Sequence, residues 1–290
     1  MRDLELVDLF ANGVIEQVQY IPFPRRLQQA KLEVQHPKFL YKDYMPEKTN
    51  RLYKYAVFRY SVKMRTLIFT GGNRPDIDIL KHYIQKYDTV IAADSGLHTA
   101  DELGIYPDYI VGDMDSLADN TLTEKYAAAE LRRFPCEKDF TDTDLAVKIV
   151  EENNADEIIF AGAGGGRVDH LLYFFKTFGS AKASLIWVHD TGIAFCIDAE
   201  RAARFILPDI KGAYISIAAA GTAPHKIKSK GLFWPLDHLD WTECSISLSN
   251  KQSARLPDMP QPIELEPETG RFIVLLSPLD TYDFQIIKRV

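Results

Sequence analysis

The sequence predicts an α/β domain with a mostly parallel, Rossmann-like sheet, followed by an all-β domain that forms a sandwich. The first observation is a run of short apolar segments, each ended by glycine or a polar residue, that alternate with segments whose apolar residues recur at helical spacing. The second is a change near Thr191, after which the apolar segments are short, often alternating, and separated by turn residues. Continuous apolar strands that alternate with helices are typical of a parallel sheet covered on both faces.

The predicted strands and helices follow one another in a regular order from residue 64 onward. The strand-like segments of the α/β part are RTLIFTGG, TVIAADSG, DYIVGD, EIIFAGAGGGR and SLIWVHD. The helix-like segments between them are PDIDILKHYIQKY, LHTADELG, TLTEKYAAAELRR, TDTDLAVKIVEENN and DHLLYFFKTF. Beyond Thr191 the predicted strands are GIAFCIDAE, RFILPD, AYISIAAAG, HKIKSKGL, CSISLSN, PIELEP and RFIVLLSP. We therefore divide the chain into an N-terminal extension, 1–63, an α/β domain, 64–190, and a β-sandwich domain, 191–290.

The N-terminal extension, residues 1–63, is rich in aromatic residues and carries more Lys and Arg than Asp and Glu. Disordered tails rarely contain so many aromatic residues, so we expect ordered secondary structure. An added layer packed on the body is favoured over an arm that contacts RNA or a membrane. The extension contains no catalytic motif, and its role stays open, as does the alternative that Met64 is a second start.

The composition excludes several classes of protein. With 46% hydrophobic and 26% charged residues the chain is typical of globular proteins, and its formal net charge of -7 argues against a dedicated nucleic-acid binder. No apolar stretch is long enough to cross a bilayer, and the first residues lack a secretory leader. Cys136, Cys196 and Cys244 lie far apart, so we expect reduced thiols in a cytoplasmic protein. We therefore expect neither a nucleic acid nor a membrane as a partner.

Two carboxylates, Asp113 and Asp115, follow the apolar strand DYIVG. Residues two apart in an extended segment point to the same side, so both side chains can reach one point beyond the strand. Carboxylates held this close require a proton or a cation between them, and Mg²⁺ prefers oxygen ligands. The alternative is a turn in which Asp115 and Ser116 cap the helix that begins near Thr121.

Asp94 and Ser95 end a second strand, where Gly96 allows a phosphate or a ribose to approach the backbone. An N-cap of the following helix is nearly as good an interpretation of Asp94. Ligands gather at the carboxyl ends of the strands in a parallel sheet, so these residues and the first acidic pair should share one edge.

The segment EKDFTDTD adds Lys138 and three aspartates to the same edge. Thr141 and Asp144 have the spacing of a capping box, so we expect Asp144 to be structural. Asp142 lies in the first helical turn, where acidic residues are common without a function. It is nevertheless well placed to add a third carboxylate to the metal.

The glycine run GAGGGR follows the strand EIIFA and precedes a helix, so Gly165 and Gly166 are candidates to bind a phosphate. The run fails the dinucleotide-binding pattern, because Arg167 occupies the position of the third glycine, and it lacks the Lys-Ser/Thr ending of a P-loop. Arg167 provides a planar donor fork that suits phosphate, and Asp169 could fix that fork or contact the metal.

The motifs described above resemble those of the thiamine pyrophosphokinase family. The matching segments are AADSG, GIYPDYIVGDMDS, EKDFTDTDLA, GGRVDH, KGLFWPL and SLSN, in the order in which the family carries them. The resemblance covers residues 64–290. It implies an α/β catalytic domain, a β-sandwich domain that binds thiamine, and a homodimer with active sites at the subunit interface. It also implies Mg²⁺-dependent transfer of the pyrophosphoryl group of ATP to the hydroxyl of thiamine, which releases AMP.

The resemblance further implies roles for individual residues. The magnesium ligands would be Asp113, Asp115 and Asp142. The nucleotide and phosphate contacts would be Asp94, Arg167 and Asp169, with Ser95, Lys138, Gly165 and Gly166 beside them. The thiamine contacts would be Trp234, Ser249 and Asn250, with Ser229 as a weaker candidate. A flat cationic ring suits stacking on tryptophan, and serine and asparagine can read the edge of an aminopyrimidine.

Other functions compete with this one. A pyrophosphokinase of the same fold that acts on another alcohol, such as a hydroxymethyl-pterin, would keep the acidic residues without needing Trp234, Ser249 and Asn250. A non-catalytic sensor of nucleotide or thiamine is a second alternative, and an NAD-dependent oxidoreductase is a distant third. The sequence leaves open the nucleotide preference and the proton acceptor, Asp94 or Asp169. It also leaves open the effect of Phe174, where the family often has asparagine.

Overall fold

A computed structural model describes residues 64–112, 121–133, 140–222, 224–242, 245–256 and 259–289. The N-terminal extension, 1–63, lies outside these ranges, and so do the predicted site residues Asp113, Asp115 and Lys138. The predictions that concern these residues stay predictions.

The first part of the described chain forms six parallel strands and five helices. The strands are β1 (Arg65–Phe69), β2 (Thr89–Ala93), β3 (Tyr109–Gly112), β4 (Glu130–Arg133), β5 (Glu157–Ala161) and β6 (Ser184–His189). The helices are α1 (Ile77–Tyr83), α2 (Gly96–Glu102), α3 (Thr121–Lys125), α4 (Asp142–Glu152) and α5 (Val168–Ser180). The strands lie side by side in the order β6-β5-β1-β2-β3-β4, with β1 between β5 and β2.

The remaining strands are antiparallel. They are β7 (Gly192–Asp198), β8 (Ala202–Leu207), β9 (Tyr214–Ala220), β10 (Lys226–Lys230), β11 (Ile246–Asn250), β12 (Ala254–Leu256), β13 (Met259–Pro260), β14 (Ile263–Thr269), β15 (Arg271–Ser277) and β16 (Gln285–Lys288). β7, β15, β9 and β11 continue the parallel sheet beyond β6, which gives a ten-stranded mixed sheet. β10, β14, β8 and β16 form a second, four-stranded antiparallel sheet, and β12 pairs with β13.

The prediction of α/β structure followed by all-β structure after Thr191 is therefore confirmed in the described ranges. The predicted domain boundary, 190/191, falls in the turn of the antiparallel hairpin β6–β7, where His189 pairs with Gly192. One sheet thus runs across this boundary. The division into an α/β domain and a sandwich domain stays a prediction.

The prediction of a continuous helix over TLTEKYAAAELRR is only partly right. α3 ends at Lys125, and β4 pairs in parallel with β3 from Tyr109 to Gly112. Arg132 of β4 lies over the ring of Tyr109, 5.2 Å from its centroid, and donates to Glu130. Pairing with the sheet therefore outweighs the local helix preference of this segment.

Both faces of the large sheet are buried along β1, β2 and β5, because successive residues of a strand point to opposite sides and nearly all residues of these strands are buried. Phe69 and Val90 face a cluster that includes Leu80 of α1 and Phe205 and Leu265 of the second sheet. On the opposite face, Ile68, Ile91 and Phe160 of β1, β2 and β5 form a second cluster with residues of α4 and α5 such as Val147 and Phe178. Helices thus flank the parallel strands, and the second sheet packs on the antiparallel strands.

Among the described residues, the structure contains no helix of a length and apolar character that would cross a membrane.

Helix α1 is joined to the segment before β16 through two buried tyrosines. The hydroxyl of Tyr83 donates to the carbonyl oxygen of Asp280 at 2.9 Å and accepts from the backbone N–H of Tyr282 at 2.7 Å. The hydroxyl of Tyr282 donates to the carbonyl oxygen of Pro278 at 2.6 Å. Burial raises the pKa of Tyr83 to about 12. The fold thus favours the protonated phenol.

We expect Tyr83→Phe to lower the free energy of unfolding by about 1–3 kcal/mol, because it removes the partner of the buried N–H of Tyr282 and of the partly buried carbonyl of Asp280. The pKa of Tyr83 is raised from 10.0 to about 12, so its contribution is complete below pH 10 and is lost as the pH rises to about 12. The difference between wild type and variant should therefore shrink over this range. Urea denaturation at neutral and alkaline pH measures it. The control is Tyr87→Phe at an exposed tyrosine, and equal stability of wild type and Tyr83→Phe would contradict the account.

Candidate active site

The carboxyl ends of β1, β2, β3 and β5 meet at one edge of the sheet. Just past β1, Thr70 donates its backbone N–H to the carbonyl oxygen of Ala161 at 2.9 Å, and past β2 Asp94 donates to that of Val111 at 2.8 Å. Gly96, at the start of α2, lies against the carbonyl oxygen of Phe69 with no room for a β-carbon. The strand ends therefore bring together side chains that are far apart in sequence.

Asp94 and Asp142 converge near Gly112, the last residue of β3. A β-carbon on Gly112 would lie 3.4 Å from the carboxyl carbon of Asp142 and 3.5 Å from the backbone nitrogen of Asp94. Asp142 thus lies beside the residue that directly precedes Asp113 in the chain. A β-carbon on Gly71 would lie 2.8 Å from Oγ of Ser95 and 3.4 Å from Oδ2 of Asp94. Both of these side chains therefore extend toward the loop that follows β1.

The interpretation of Asp94 as a helix cap is not what the structure shows. The residue that caps α2 is Ser95, and its side chain makes no capping hydrogen bond. Asp94 has a φ of 52°, a left-handed conformation that a non-glycine residue adopts at a cost of about 1 kcal/mol or more. Such backbone strain is frequent at functional sites, and here it accompanies a carboxylate at the carboxyl edge of a parallel sheet.

The predicted capping box at the start of α4 is confirmed. The hydroxyl of Thr141 accepts from the backbone N–H of Asp144 at 3.2 Å, and Oδ2 of Asp144 accepts from the backbone N–H of Thr141 at 2.9 Å. Asp144 also accepts from the hydroxyls of Tyr173 and Thr177 of α5. It therefore fixes α4 to α5, and this holds the neighbouring Asp142 at the strand ends.

The glycine loop, 162–166, lies at the same edge and leads into α5. Gly165 and Gly166 are exposed and have φ values of 58° and 70°, which L side chains rarely adopt. Arg167 follows and forms a bidentate ion pair with Asp169, in which Nε donates to Oδ1 at 3.1 Å and Nη2 donates to Oδ2 at 2.5 Å. This pair raises the pKa of Arg167 and lowers that of Asp169. Of the two roles considered for Asp169, the structure shows it fixing the guanidinium fork.

The described residues provide part of a possible metal site. Within the described ranges, no cluster of three or more His, Cys, Asp or Glu side chains is arranged to bind a metal. Asp113 and Asp115, the other two predicted ligands, are outside those ranges. The carboxylate of Asp142 beside Gly112 offers oxygen donors of the kind that Mg²⁺ prefers. The described part therefore fits a magnesium site to which the next residues along the chain would contribute.

The loop 231–237 carries an exposed aromatic pair. The side chains of Phe233 and Trp234 are 62% and 50% exposed, and their rings pack edge to face with centroids 4.8 Å apart. The fully buried Asn250 accepts from the backbone N–H of Trp234 at 3.1 Å and donates to its carbonyl oxygen at 2.7 Å. Asn250 thus fixes the backbone that presents the indole.

The two serines predicted as thiamine contacts, Ser229 and Ser249, differ in their surroundings. The hydroxyl of Ser229 donates to Asp237 at 3.2 Å and accepts from the backbone N–H of Leu236 at 2.8 Å, so it stabilises the same loop. Ser249 is exposed, with a φ of 52°, and its backbone N–H donates to the hydroxyl of Ser216 at 3.0 Å. Of the two, Ser249 is the better placed to contact a ligand.

Phe174 faces the core of the protein. It is 5% exposed, and its ring centroid lies 5.3 Å from that of Phe160 and 4.7 Å from that of Trp187. Its ring therefore fills space under α5.

Sequence reasoning missed Asn73 and Asp190 beside the glycine loop. The side-chain amide of Asn73 donates to Asp190 at 2.9 Å, and the indole N–H of Trp187 donates to the carbonyl oxygen of Gly162 at 2.8 Å. Asp190 is the last residue of the predicted strand SLIWVHD, so the rule that selected Asp94 at a strand end would also have selected it.

Part of this chain is similar in sequence to known proteins. Residues 80–188 match a family model described as thiamin pyrophosphokinase, catalytic domain. Over 111 residues the chain is 36% identical to the thiamine pyrophosphokinase of Bacillus subtilis (strain 168). These aligned residues make up 38% of this chain and 52% of that protein. The matched segment thus spans about half the length of the curated relative.

Solved structures share the fold. The crystal structure of thiamine pyrophosphokinase from Bacillus subtilis has a TM-score of 0.59 at 22% identity, covering 73% of this chain and 99% of that one. A thiamin pyrophosphokinase family protein from Enterococcus faecalis has a TM-score of 0.57 at 21% identity, covering 76% and 100%. Residues 80–188 are thus similar to the thiamin pyrophosphokinase catalytic domain, and the two solved structures share the fold of this chain.

Proposed function

We propose that this chain is a thiamine pyrophosphokinase, which transfers the pyrophosphoryl group of ATP to the hydroxyl of thiamine and releases AMP. The observation that carries the proposal is the convergence of Asp94, Asp142 and the glycine loop at one sheet edge, inside the matched segment 80–188. Carboxylates beside a glycine-rich helix start and an arginine are the groups that phosphoryl transfer with a divalent cation requires.

The triphosphate of ATP would lie on the glycine loop at the start of α5. Gly165 and Gly166 leave the backbone accessible there, and the N-terminus of a helix favours an anion. The guanidinium of Arg167 would share the charge that develops during transfer, with Asp169 holding its plane in place. Ser95 lies beside Gly71, in the loop that follows β1, and Lys138 is included from the sequence alone.

Mg²⁺ would be held by Asp142 together with Asp113 and Asp115. When bound, the ion would act as a Lewis acid and neutralise charge on the phosphates of ATP. Asp142 lies beside Gly112, the last residue of β3, and the chain continues from Gly112 into Asp113 and Asp115. This position of Asp142 supports the assignment.

Thiamine would stack on the exposed indole of Trp234. A cationic flat ring gains about 1–2 kcal/mol on an aromatic face when it is partly desolvated. Asn250 and Ser229 fix the loop that presents this ring, so we assign them to positioning it, whereas Ser249 is exposed and available to contact the ligand. A substrate without a cationic ring, such as a hydroxymethyl-pterin, gives no comparable reason for the exposed tryptophan.

The thiamine hydroxyl would attack the β-phosphorus of ATP in line with the departing AMP oxygen. Its proton needs an acceptor, and Asp94 and Asp169 are the two candidates from the sequence. Asp169 is committed to Arg167, and its lowered pKa makes it a weak base. We therefore assign the proton to Asp94.

A homodimer and a cytoplasmic location complete the proposal. Helix α5 exposes Val168 and Leu172, at 69% and 65%, directly after the glycine loop. Apolar side chains in such a place suit burial by a second copy, and a site at the subunit interface would then be closed to water. The buried thiol of Cys196 suits a reducing compartment such as the cytoplasm.

We expect Asp142→Asn to lower kcat for thiamine diphosphate formation by at least about a hundredfold, because it removes a charge that the phosphates and the cation require. AMP and thiamine diphosphate, quantified by mass spectrometry with ATP, Mg²⁺ and thiamine, report the rate. The matched control is Asp78→Asn at an exposed carboxylate of α1. A folded Asp142→Asn variant with wild-type kcat would remove Asp142 from the site.

We expect Trp234→Ala to raise the KM for thiamine by about tenfold and to leave the KM for ATP almost unchanged, because only the ring platform is lost. Steady-state kinetics with each substrate varied in turn measures the two constants. Leu239→Ala, at another exposed apolar side chain, serves as the control. An equal or larger effect on the ATP constant would contradict the assignment of this loop to thiamine.

A further inference from the structure

The glycine loop contacts two segments that are distant from it in sequence. The backbone N–H of Asn73, in the loop after β1, donates to the carbonyl oxygen of Gly164 at 2.7 Å, and that of Gly164 donates back at 3.3 Å. The side-chain amide of Asn73 then donates to Oδ2 of Asp190, just past β6, at 2.9 Å. A single asparagine therefore links the ends of β1, β5 and β6.

The same two side chains explain why the loop is built from glycines at these positions. A β-carbon on Gly164 would collide with the carboxylate of Asp190, and one on Gly165 would collide with the amide of Asn73. Gly164 does not have a positive φ, so packing against Asp190 and Asn73 accounts for its lack of a side chain. The loop thus lies directly on the Asn73–Asp190 pair.

A third contact fixes the beginning of the loop. The indole N–H of the buried Trp187 donates to the carbonyl oxygen of Gly162 at 2.8 Å. The ring of His189 lies against this indole, with centroids 4.5 Å apart, and its Nδ1 is 3.6 Å from Oδ1 of Asp190. The end of β6 therefore supports the loop at its first glycine and at its middle.

We propose that Asn73 and Asp190 are positioning residues for the nucleotide phosphates, a role that rests on the proposed function of the glycine loop. They touch the loop rather than the substrate, and they fix its backbone in the conformation that leaves Gly165 and Gly166 exposed to an anion. Loops of several glycines are otherwise mobile, and each mobile residue must be ordered when the ligand binds. Because the pair orders the loop before ATP binds, less conformational entropy is lost on binding.

The pair can be tested by exchanging its members, because only one of the two needs to be a donor. In Asn73→Asp two carboxylates face each other and repel, whereas Asp190→Asn keeps an oxygen that accepts from Asn73. In the double exchange, Asn73→Asp with Asp190→Asn, the amide and the carboxylate trade places and the hydrogen bond can form again. If Asn73 and Asp190 contributed only to overall stability, nucleotide affinity would not fall in Asn73→Asp and recover in the double exchange.

The experiment measures the affinity of the full-length chain for Mg²⁺ and α,β-methylene-ATP by calorimetry, with the melting temperature and the kinetics of each variant. We expect Asn73→Asp to bind at least about tenfold more weakly, Asp190→Asn to bind nearly as tightly as wild type, and the double exchange to recover most of the loss. The KM for ATP should follow the affinity while the KM for thiamine stays constant. Asp78→Asn is the exposed carboxylate control. Asn73→Ala replaces Asn73→Asp if the latter does not fold.

Two results would overturn the proposal: wild-type affinity in both Asn73→Asp and Asn73→Ala, or a folded double exchange that binds as weakly as Asn73→Asp. A wild-type chain that binds the analogue but forms no thiamine diphosphate would refute the proposed function alone. The exchange would still decide the role of the pair in that case, because it is read from affinity.

Discussion

The candidate site depends on the close approach of the ends of neighbouring parallel strands. β1 lies between β2 and β5, and the segments that follow these two strands pass the end of β1 with no room for a side chain at Gly96 and Gly162. Gly96 lies against the carbonyl oxygen of Phe69, and a β-carbon on Gly162 would lie 2.5 Å from that of Thr70. Because these contacts are made by backbone, the carboxylates and the glycine loop are held to the sheet edge by rigid elements, which suits a reaction governed by positioning.

The continuous sheet gives the site a firm connection to the aromatic loop. The parallel strands end at β6, and the hairpin to β7 carries the sheet into the antiparallel strands that lead to β11 and Asn250. The two halves share backbone hydrogen bonds along this hairpin, so they should move together. Asn250, at the end of β11, then holds the backbone of Trp234 to this sheet through two hydrogen bonds.

Local sequence signals predicted much of this arrangement. The alternation of apolar strands and amphipathic helices indicated the parallel sheet, and the Thr141–Asp144 spacing indicated a capping box that the structure contains. The rule that polar residues collect at the carboxyl ends of parallel strands was enough to bring Asp94 and Asp142 together. These predictions succeeded because each depends on residues that are close in sequence or on a geometry that all parallel sheets share.

The features that were missed depend on contacts between distant residues. Asn73 and Asp190 are 117 positions apart, and neither lies in a motif. The amide of Asn250 looked suited to read a ligand, but a buried amide must satisfy its donors and acceptors, and here it does so on the backbone of Trp234 and Lys251. The strand β4 was not predicted because its residues locally favour a helix. They form a strand by pairing with β3, which the local sequence does not indicate.

The most direct measurement is a crystal structure of the chain with Mg²⁺ and α,β-methylene-ATP. The account predicts a carboxylate oxygen of Asp142 at about 2.1 Å from the ion. It also predicts the phosphates on the backbone N–H groups of the glycine loop, beside Arg167. An analogue bound away from the ends of β1, β2, β3 and β5, or an ion coordinated without Asp142, would contradict it.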